Sequence, residues 1–153
     1  MRNGAAIAES DNLLTAGSKT SHLAALMNNK GSITAFDKDA NRIEVRSAQC
    51  LHRESAAPQS LKRVLARAGA TCVQVVHQSF LDCSPSTKQL ARVTHVLVDP
   101  SCSGSGMNLD WARKPQKDAD TVRQLADSQK KLVLHAMKCA LVSFAIAMLI
   151  ADC

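Results

Sequence analysis

The residues best suited to take part in a reaction are a carboxylate and a thiol that follow a strand-like segment. Residues 93–98 (VTHVLV) are rich in β-branched side chains and predict a buried strand, and Asp99 and Cys102 follow it in the loop DPSCSGSGM. Loops at the carboxyl ends of parallel strands often carry reactive side chains, and local donors can activate a thiol there. Two other interpretations stay open: an incidental cysteine in a Ser/Gly linker, and a thiol hydrolase, which needs a histidine near Cys102.

A second constellation joins a glycine turn to a later carboxylate. Gly17 precedes a predicted helix, and Asp37 ends the next predicted strand 20 residues further on. Glycine lets the backbone approach a ligand, and a carboxylate at that distance can accept ribose hydroxyls, which suits an adenosine-containing cofactor. A plain tight turn is the alternative. Lys19 and Thr20 look like the end of a triphosphate-binding loop, but Leu14 stands where that loop needs its first glycine.

Hydrophobic spacing predicts the elements that position these residues. Predicted strands cover residues 32–36, 72–76 and 93–98, after a weak apolar start at 13–14, and predicted helices cover 21–29, 39–46, 60–68 and 118–138. This alternation favours an α/β fold with a mostly parallel sheet of roughly four strands. In such a fold, ligands bind at the carboxyl ends of the strands.

The two ends of the chain differ from its middle. Residues 1–10 are small and polar and predict a disordered N-terminus, and an insertion of about 45–58 interrupts a partial domain at 11–138. Residues 139–153 form an apolar tail, which is too short to span a bilayer because a spanning helix needs about 20 apolar residues. We expect a buried helix there. An aggregation-prone end and a tail anchor are the alternatives.

Composition narrows the class of protein. The chain has 153 residues, 46% of them hydrophobic, which predicts one globular domain. Aromatic residues make up 3% with no tyrosine, so aromatic base-stacking platforms are not expected. The net charge of +6 suits a polyanionic partner such as RNA. The six cysteines form no C-x-x-C pair and the five histidines no i, i+4 pair, so we expect no metal site.

A loose run of cations has two interpretations. It comprises Arg42, Arg46, Arg53, Lys62, Arg63 and Arg67. These cations could contact RNA phosphates, or they could form a solvated helix face, which is the interpretation we favour.

Together these strings resemble the RsmB/Sun (NSUN) family of SAM-dependent RNA cytosine-5 methyltransferases. DPSCSGSG resembles motif IV of the branch that acts on ribosomal RNA, and GSKTSHLAALMNNKGSITAFDKDANRI resembles motifs I and II. The similarity covers roughly residues 13–138. It implies an incomplete Rossmann-like methyltransferase domain, with S-adenosyl-L-methionine (SAM) as cofactor and RNA, preferably ribosomal, as partner. It also implies a nuclear or nucleolar location, with the cytoplasm as the alternative and no membrane partner.

The resemblance also implies roles for individual residues. The turn around Gly17 would wrap the methionine end of SAM, Asp37 would hold the ribose and Asp99 would lie between cofactor and base. The implied cofactor-binding residues are Thr15, Ala16, Gly17, Ser18, Lys19, Asp37, Arg42 and Asp99. Cys102 would be the catalytic residue that helps to release the covalent enzyme–RNA adduct.

Several positions depart from the family pattern. The family nucleophile sits in a later strand that ends Y-S-T-C-S, and this string does not occur here. Cys139 and Cys153 are the remaining downstream thiols. Ser79 stands where family members usually carry an aspartate near the adenine, and Thr15 and Ala16 lie where the motif has a proline turn. The sequence therefore predicts a domain truncated before its nucleophile, with weak or no catalysis. A non-catalytic fragment or splice variant that binds RNA or another partner is the alternative.

Overall fold

The computed structural model describes residues 4–8, 17–44, 60–88, 90–100, 118–139 and 144–147. The strands are β1 (Gly4–Ala8), β2 (Ser32–Asp37), β3 (Val73–His77), β4 (Val93–Val98) and β5 (Phe144–Ala147). The helices are α1 (Ser18–Leu26), α2 (Ala40–Ile43), α3 (Leu61–Arg67) and α4 (Ala119–Ala136), with a 3₁₀ turn at Phe80–Asp82. The strands form one sheet in the order β3-β2-β1-β4-β5, and every pairing between them is parallel.

The N-terminus corrects a prediction. Residues 1–10 were expected to be disordered, but Gly4–Ala8 form β1 at the centre of the sheet, between β2 and β4. Small residues give little strand signal by themselves, and pairing on both sides supplies the backbone hydrogen bonds that hold such a segment. The apolar start predicted at 13–14 lies outside the described residues, as does the insertion predicted at about 45–58.

The apolar tail corrects a second prediction. Its described part, Phe144–Ala147, is a strand at the edge of the sheet and not the expected buried helix. It pairs with β4 from His95↔Phe144 to Val98↔Ala147. A short apolar run does not distinguish a buried strand from a buried helix by its periodicity, and pairing with β4 decides between them here.

Two apolar layers cover the two faces of the sheet. On one face, β2 and β4 pack against α4 and the 3₁₀ turn. The buried residues of this layer are Phe36, Phe80, Cys83, Leu90, Val93, Val96, Val98, Leu132, Ala136 and Cys139. On the other face, two smaller clusters lie under α1 and α3. Their buried residues are Ala24, Ile33, Ala35, Leu61 and Leu65. A parallel sheet that is covered on both faces is the arrangement expected of an α/β fold.

Capping side chains set the ends of the helices. Asp118 accepts from the Thr121 N–H at 2.6 Å at the start of α4, and this backbone hydrogen bond is the main cause that lowers the pKa of Asp118. At the end of α1, Asn28 and Asn29 take left-handed conformations. The Asn29 amide donates to the Gly69 carbonyl at 2.9 Å and accepts from the Thr71 N–H at 3.0 Å, which ties the end of α1 to the segment before β3.

Candidate functional site

The strand register brings two carboxylates to the same edge of the sheet. Ala8 pairs with Phe36 on one side and Val98 on the other. Asp37 and Asp99 are therefore the next residues along β2 and β4, the two strands that flank β1. Phe36 and Val98 belong to the α4 layer, so the alternation of side chains directs Asp37 and Asp99 to the opposite face, which α1 and α3 cover. Since β1 separates them, their backbones lie about 10 Å apart, two strand spacings.

The start of α1 lies on this same face, and Gly17 shapes it. Gly17 has φ 89° and ψ −9°, a left-handed conformation that favours glycine. A Cβ at this position would lie 2.9 Å from Leu61 Cδ1 and 3.2 Å from Val64 Cγ1, so α1 begins in close contact with α3. No side chain caps the first turn of α1 among the described residues, and this turn contains no acidic residue. The backbone N–H groups of a helix's first turn are donors that can bind an anionic group.

Lys19 connects this turn to the end of β4. Its Nζ lies 2.5 Å from Asp99 Oδ1, across 80 residues of sequence. The Lys19 side chain is 34% exposed and that of Asp99 is 15% exposed. The ion pair therefore lies at the surface of the edge, where a ligand could contact both groups.

Asp37 is held much more tightly. Arg42 donates from Nη2 to Asp37 Oδ1 at 2.6 Å and from Nε to Asp37 Oδ2 at 3.0 Å, and the Asp39 N–H donates to Oδ1 at 2.9 Å. Both side chains are buried. The Asp39 side chain caps α2 by accepting from the Asn41 N–H at 2.8 Å, which places Arg42 one turn further on. The resemblance placed Arg42 beside the cofactor pocket, and its structural contact is with the predicted ribose-binding carboxylate itself.

His77 is a residue of this edge that the sequence interpretation missed. It pairs with Asp37 in the β2–β3 register, and its Nε2 lies 3.1 Å from the Lys38 carbonyl oxygen. It was missed because the strand was predicted to end at residue 76, whereas β3 continues to His77. Ser79, two residues after His77, accepts from the Leu81 N–H at 3.3 Å and so caps the 3₁₀ turn.

The structure therefore brings five of the predicted cofactor residues to one edge. They are Gly17, Ser18, Lys19, Asp37 and Asp99, and Arg42 joins them through Asp37. Thr15, Ala16 and the predicted catalytic Cys102 lie outside the described residues. Within the described ranges, no three histidine, cysteine or acidic side chains are grouped so that they could hold a metal ion. No helix in those ranges is both long and apolar enough to cross a membrane.

Cys139, one of the two thiols downstream of Cys102, has the surroundings of a core residue. It is 5% exposed in the α4 layer of the core, and it lies in the sequence between α4 and the start of β5, which pairs with β4 at His95 and not at the end that precedes Asp99. Burial raises the pKa of its thiol above the ordinary value of 9.0, with a smaller contribution from Cys83. A buried thiol that stays protonated is a poor nucleophile.

The all-parallel sheet and its strand order are those of a Rossmann-like methyltransferase domain. A solved structure, the crystal structure of PH0851, shares this fold with a TM-score of 0.68 at 24% identity, over 97% of this chain and 30% of that one. The family model for 16S rRNA methyltransferase RsmB/F matches residues 10–143. The chain belongs to this family, which confirms the resemblance found in the sequence motifs.

Curated relatives point to the same branch of the family. The chain is 34% identical over 125 residues to the 28S rRNA (cytosine-C(5))-methyltransferase of Mus musculus, which covers 80% of this chain and 24% of the relative. It is 31% identical over 134 residues to the 25S rRNA (cytosine-C(5))-methyltransferase rcm1 of Schizosaccharomyces pombe, which covers 84% of this chain and 26% of the relative. The chain thus spans about a quarter of the length of these relatives.

Proposed function

We propose that this chain is the SAM-binding part of an RNA cytosine-5 methyltransferase domain whose substrate is ribosomal RNA. The observation that carries the proposal is the placement of Asp37 and Asp99 on one face of the carboxyl edge, on either side of β1 and beside Gly17. The names of the relatives supply the reaction and the class of RNA. A nuclear or nucleolar location would go with that substrate, and the cytoplasm is the alternative.

The side chains of the edge fit SAM in three respects. The uncapped N–H groups of the first turn of α1 can receive the carboxylate of the methionine moiety, and Gly17 lets the backbone come close to it. Asp37 Oδ1 accepts from Arg42 Nη2 and from the Asp39 N–H, and Oδ2 accepts from Arg42 Nε at 3.0 Å. A carboxylate oxygen has more than one lone pair, so Oδ2 can also accept from a ribose hydroxyl. Arg42 orients that carboxylate. When bound, SAM supplies an electrophilic methyl group on a sulfonium ion.

Asp99 and Lys19 would serve the reacting end of the same site. The target cytosine must be unpaired or extruded to reach it. The Asp99 carboxylate can accept from an amino group of the base, and Lys19 Nζ lies 2.5 Å from its Oδ1. Cys102 follows Asp99 by three residues, and we propose that it helps to release the enzyme–RNA adduct, as its motif implies.

The nucleophile is the missing part of this site. The strand that pairs with the outer side of β4 is β5, whose sequence FAIA contains no thiol, and Ala147 pairs with Val98 just before Asp99. In the sequence, no Y-S-T-C-S string follows Asp99. We therefore expect SAM binding with weak or no methyl transfer by this chain.

Calorimetry with SAM tests the proposal on the full chain. Asp37→Asn and Asp99→Asn should each weaken SAM binding by about 10- to 100-fold, the cost of losing a hydrogen bond to a charged group. Asp127→Asn, an exposed carboxylate on α4, is the matched control and should leave affinity unchanged. Circular dichroism confirms that each variant is folded. A folded chain without SAM affinity would refute the proposal.

Two further measurements separate the alternatives. Binding of a cytosine-containing RNA without any binding of SAM would favour a non-catalytic RNA-binding fragment. Methyl transfer to that RNA by the wild-type chain, abolished by Cys102→Ala, would overturn the expectation of impaired catalysis and leave the cofactor site in place.

A further inference from the structure

The outer face of α4 at its C-terminal end combines exposed apolar side chains with lysines. Leu134 is 49% exposed in the last turn of α4, and Met137, which caps the C-terminal end of this helix, is 66% exposed. Lys130, Lys131 and Lys138 are exposed as well. Residues three and four apart are neighbours on a helix, so these lysines surround Leu134, with Met137 beside it. These five residues are called the α4 outer face below.

The inner side of the same turns explains why this face points outwards. Leu132 and Ala136 are 1% and 0% exposed and pack into the α4 layer of the core. The helix therefore cannot rotate to bury Leu134 and Met137 without exposing these two residues. The exposed apolar pair is a consequence of the fold, and it is available to a second molecule.

Charge is segregated along α4. Residues 128–138 (SQKKLVLHAMK) contain three lysines and no acidic residue, whereas Asp118 caps the start of the helix and Asp120 and Asp127 lie in its first half. Among the described residues, no ion pair involves the three lysines, while Arg123 is paired with Asp120 at 3.3 Å. The helix dipole accounts for lysines near a C-terminus, but it does not account for an exposed leucine and methionine between them.

The segment before β4 contacts the same end of α4. His135 Nε2 lies 2.9 Å from the Cys83 carbonyl oxygen, and Leu90 belongs to the same buried cluster as Ala136 and Cys139. This segment also carries two exposed cations, Lys88 and Arg92. The strand that follows α4 in the sequence is β5, which starts at the pair His95↔Phe144 near the start of β4, so this end of α4 lies away from the carboxyl edge.

We propose that the α4 outer face binds an acidic amphipathic helix of a partner protein. The lysines complement its carboxylates, and Leu134 and Met137 bury its apolar side chains. RNA fits less well, because phosphates would engage the lysines but leave both aliphatic side chains in water, and the five residues include no aromatic side chain for base stacking. The basic stretch of residues 128–138 is about 16 Å long, at 1.5 Å per residue, and fits two to three helical turns of partner.

Fluorescence anisotropy with a defined probe tests this surface. The probe is a labelled 14-residue peptide with leucines at i, i+3, i+4 and i+7 and glutamates elsewhere, and a peptide with the same composition in scrambled order is the control. A small interface of this kind should bind in the micromolar range, and affinity should fall as salt is raised. Leu134→Gln with Met137→Gln should weaken binding at least 10-fold, as should Lys130→Glu with Lys131→Glu.

Matched variants lie on the other face of the sheet. Leu26, on α1, is 66% exposed like Met137, and Lys30 is an exposed lysine that follows α1. Leu26→Gln and Lys30→Glu should leave peptide affinity unchanged. Equal binding of the scrambled peptide, or binding that the Leu134 and Met137 changes do not affect, would overturn the proposal. Preferential binding of a 14-nucleotide polyuridine RNA, weakened by the lysine changes alone, would also overturn it and would assign the face to polyanions.

Discussion

The two carboxylates of the candidate site share an edge of the sheet but are held in different ways. Asp37 and Arg42 are five residues apart, with side chains 3% and 8% exposed. Asp99 and Lys19 are 80 residues apart, with side chains 15% and 34% exposed. The first pair is part of the folded core, whereas the second joins two elements at the surface. The edge therefore combines a rigid end with an adjustable end.

The chemistry of the two cations fits this difference. The planar guanidinium of Arg42 contacts both oxygens of Asp37 and fixes the carboxylate plane. The ammonium group of Lys19 is a point charge on a flexible stem and makes one contact with Asp99. The proposed site would need a fixed carboxylate at Asp37 to bind a ribose and a less constrained one at Asp99 to admit a base.

The largest effect is expected at the buried pair. Arg42→Ala leaves the Asp37 carboxylate buried without its main partner, which should lower the free energy of unfolding by about 3–5 kcal/mol. Urea denaturation measures this change. The exposed Arg63 provides the control, and Arg63→Ala should stay within about 0.5 kcal/mol of wild type. Equal losses of unfolding free energy in Arg42→Ala and Arg63→Ala would show that the Asp37–Arg42 ion pair does not stabilise the fold.

Gly17 should follow in size. Gly17→Ala places a Cβ 2.9 Å from Leu61 at a positive φ, and the strained backbone should lower stability by about 1–3 kcal/mol. Gly69→Ala is the control for backbone strain alone, because Gly69 has φ +63° but no atom within 4 Å of the added Cβ. Thermal unfolding compares the two. If Gly69→Ala lowers stability as much as Gly17→Ala does, the close contact between α1 and α3 contributes nothing to the effect at Gly17.

The Lys19 pair should matter less for stability. Lys19→Ala should lower the free energy of unfolding by no more than about 1 kcal/mol, because the pair is partly exposed and solvent screens it. Lys62→Ala is the matched control, since Lys62 also lies 2.5 Å from a carboxylate, Glu44, with both side chains more than half exposed. SAM affinity should fall for Lys19→Ala and remain unchanged for Lys62→Ala. If Lys19→Ala lowers the free energy of unfolding as much as Arg42→Ala does, the two ion pairs do not differ in their contribution to stability.

The smallest expected effect is a pH dependence at Cys139, far from the edge. Because burial raises the pKa of this thiol, its contribution to stability is present below pH 9.0, the ordinary value, and declines as pH rises towards the folded pKa. The stability difference between wild type and Cys139→Ala should therefore shrink between pH 8 and pH 10 in urea denaturation. A difference that grows with pH would mean that the thiolate is stabilised, and Cys139 would return as a candidate nucleophile.

Strong local patterns made part of the fold predictable. The strand predicted at 93–98 is β4 residue for residue, because VTHVLV is β-branched and ends at Asp99-Pro100. β1 was missed because Gly-Ala-Ala-Ile-Ala has little intrinsic strand preference and is stabilised by pairing on both sides. β5 was taken for a helix because a short apolar run supports both structures.

The candidate site was predictable in its residue types but not in its contacts. Gly17, Asp37 and Asp99 follow from motif spacing, since the ends of parallel strands share an edge. The bidentate contact of Arg42 with Asp37 depends on the single turn of α2 that begins after Asp39, which spacing does not reveal. The ion pair of Lys19 with Asp99 spans 80 residues and needs the strand order to be known.

An NMR titration of the isotopically labelled chain with SAM tests most directly whether both ends of the edge serve one ligand. The amide signals of Gly17 and Lys19 on α1, of Lys38 after β2 and of Asp99 after β4 should shift together and follow one binding curve, while those of Leu134 and Met137 should not move. Shifts at Lys38 without shifts at Asp99, or two curves with different affinities, would contradict a single cofactor site at this edge.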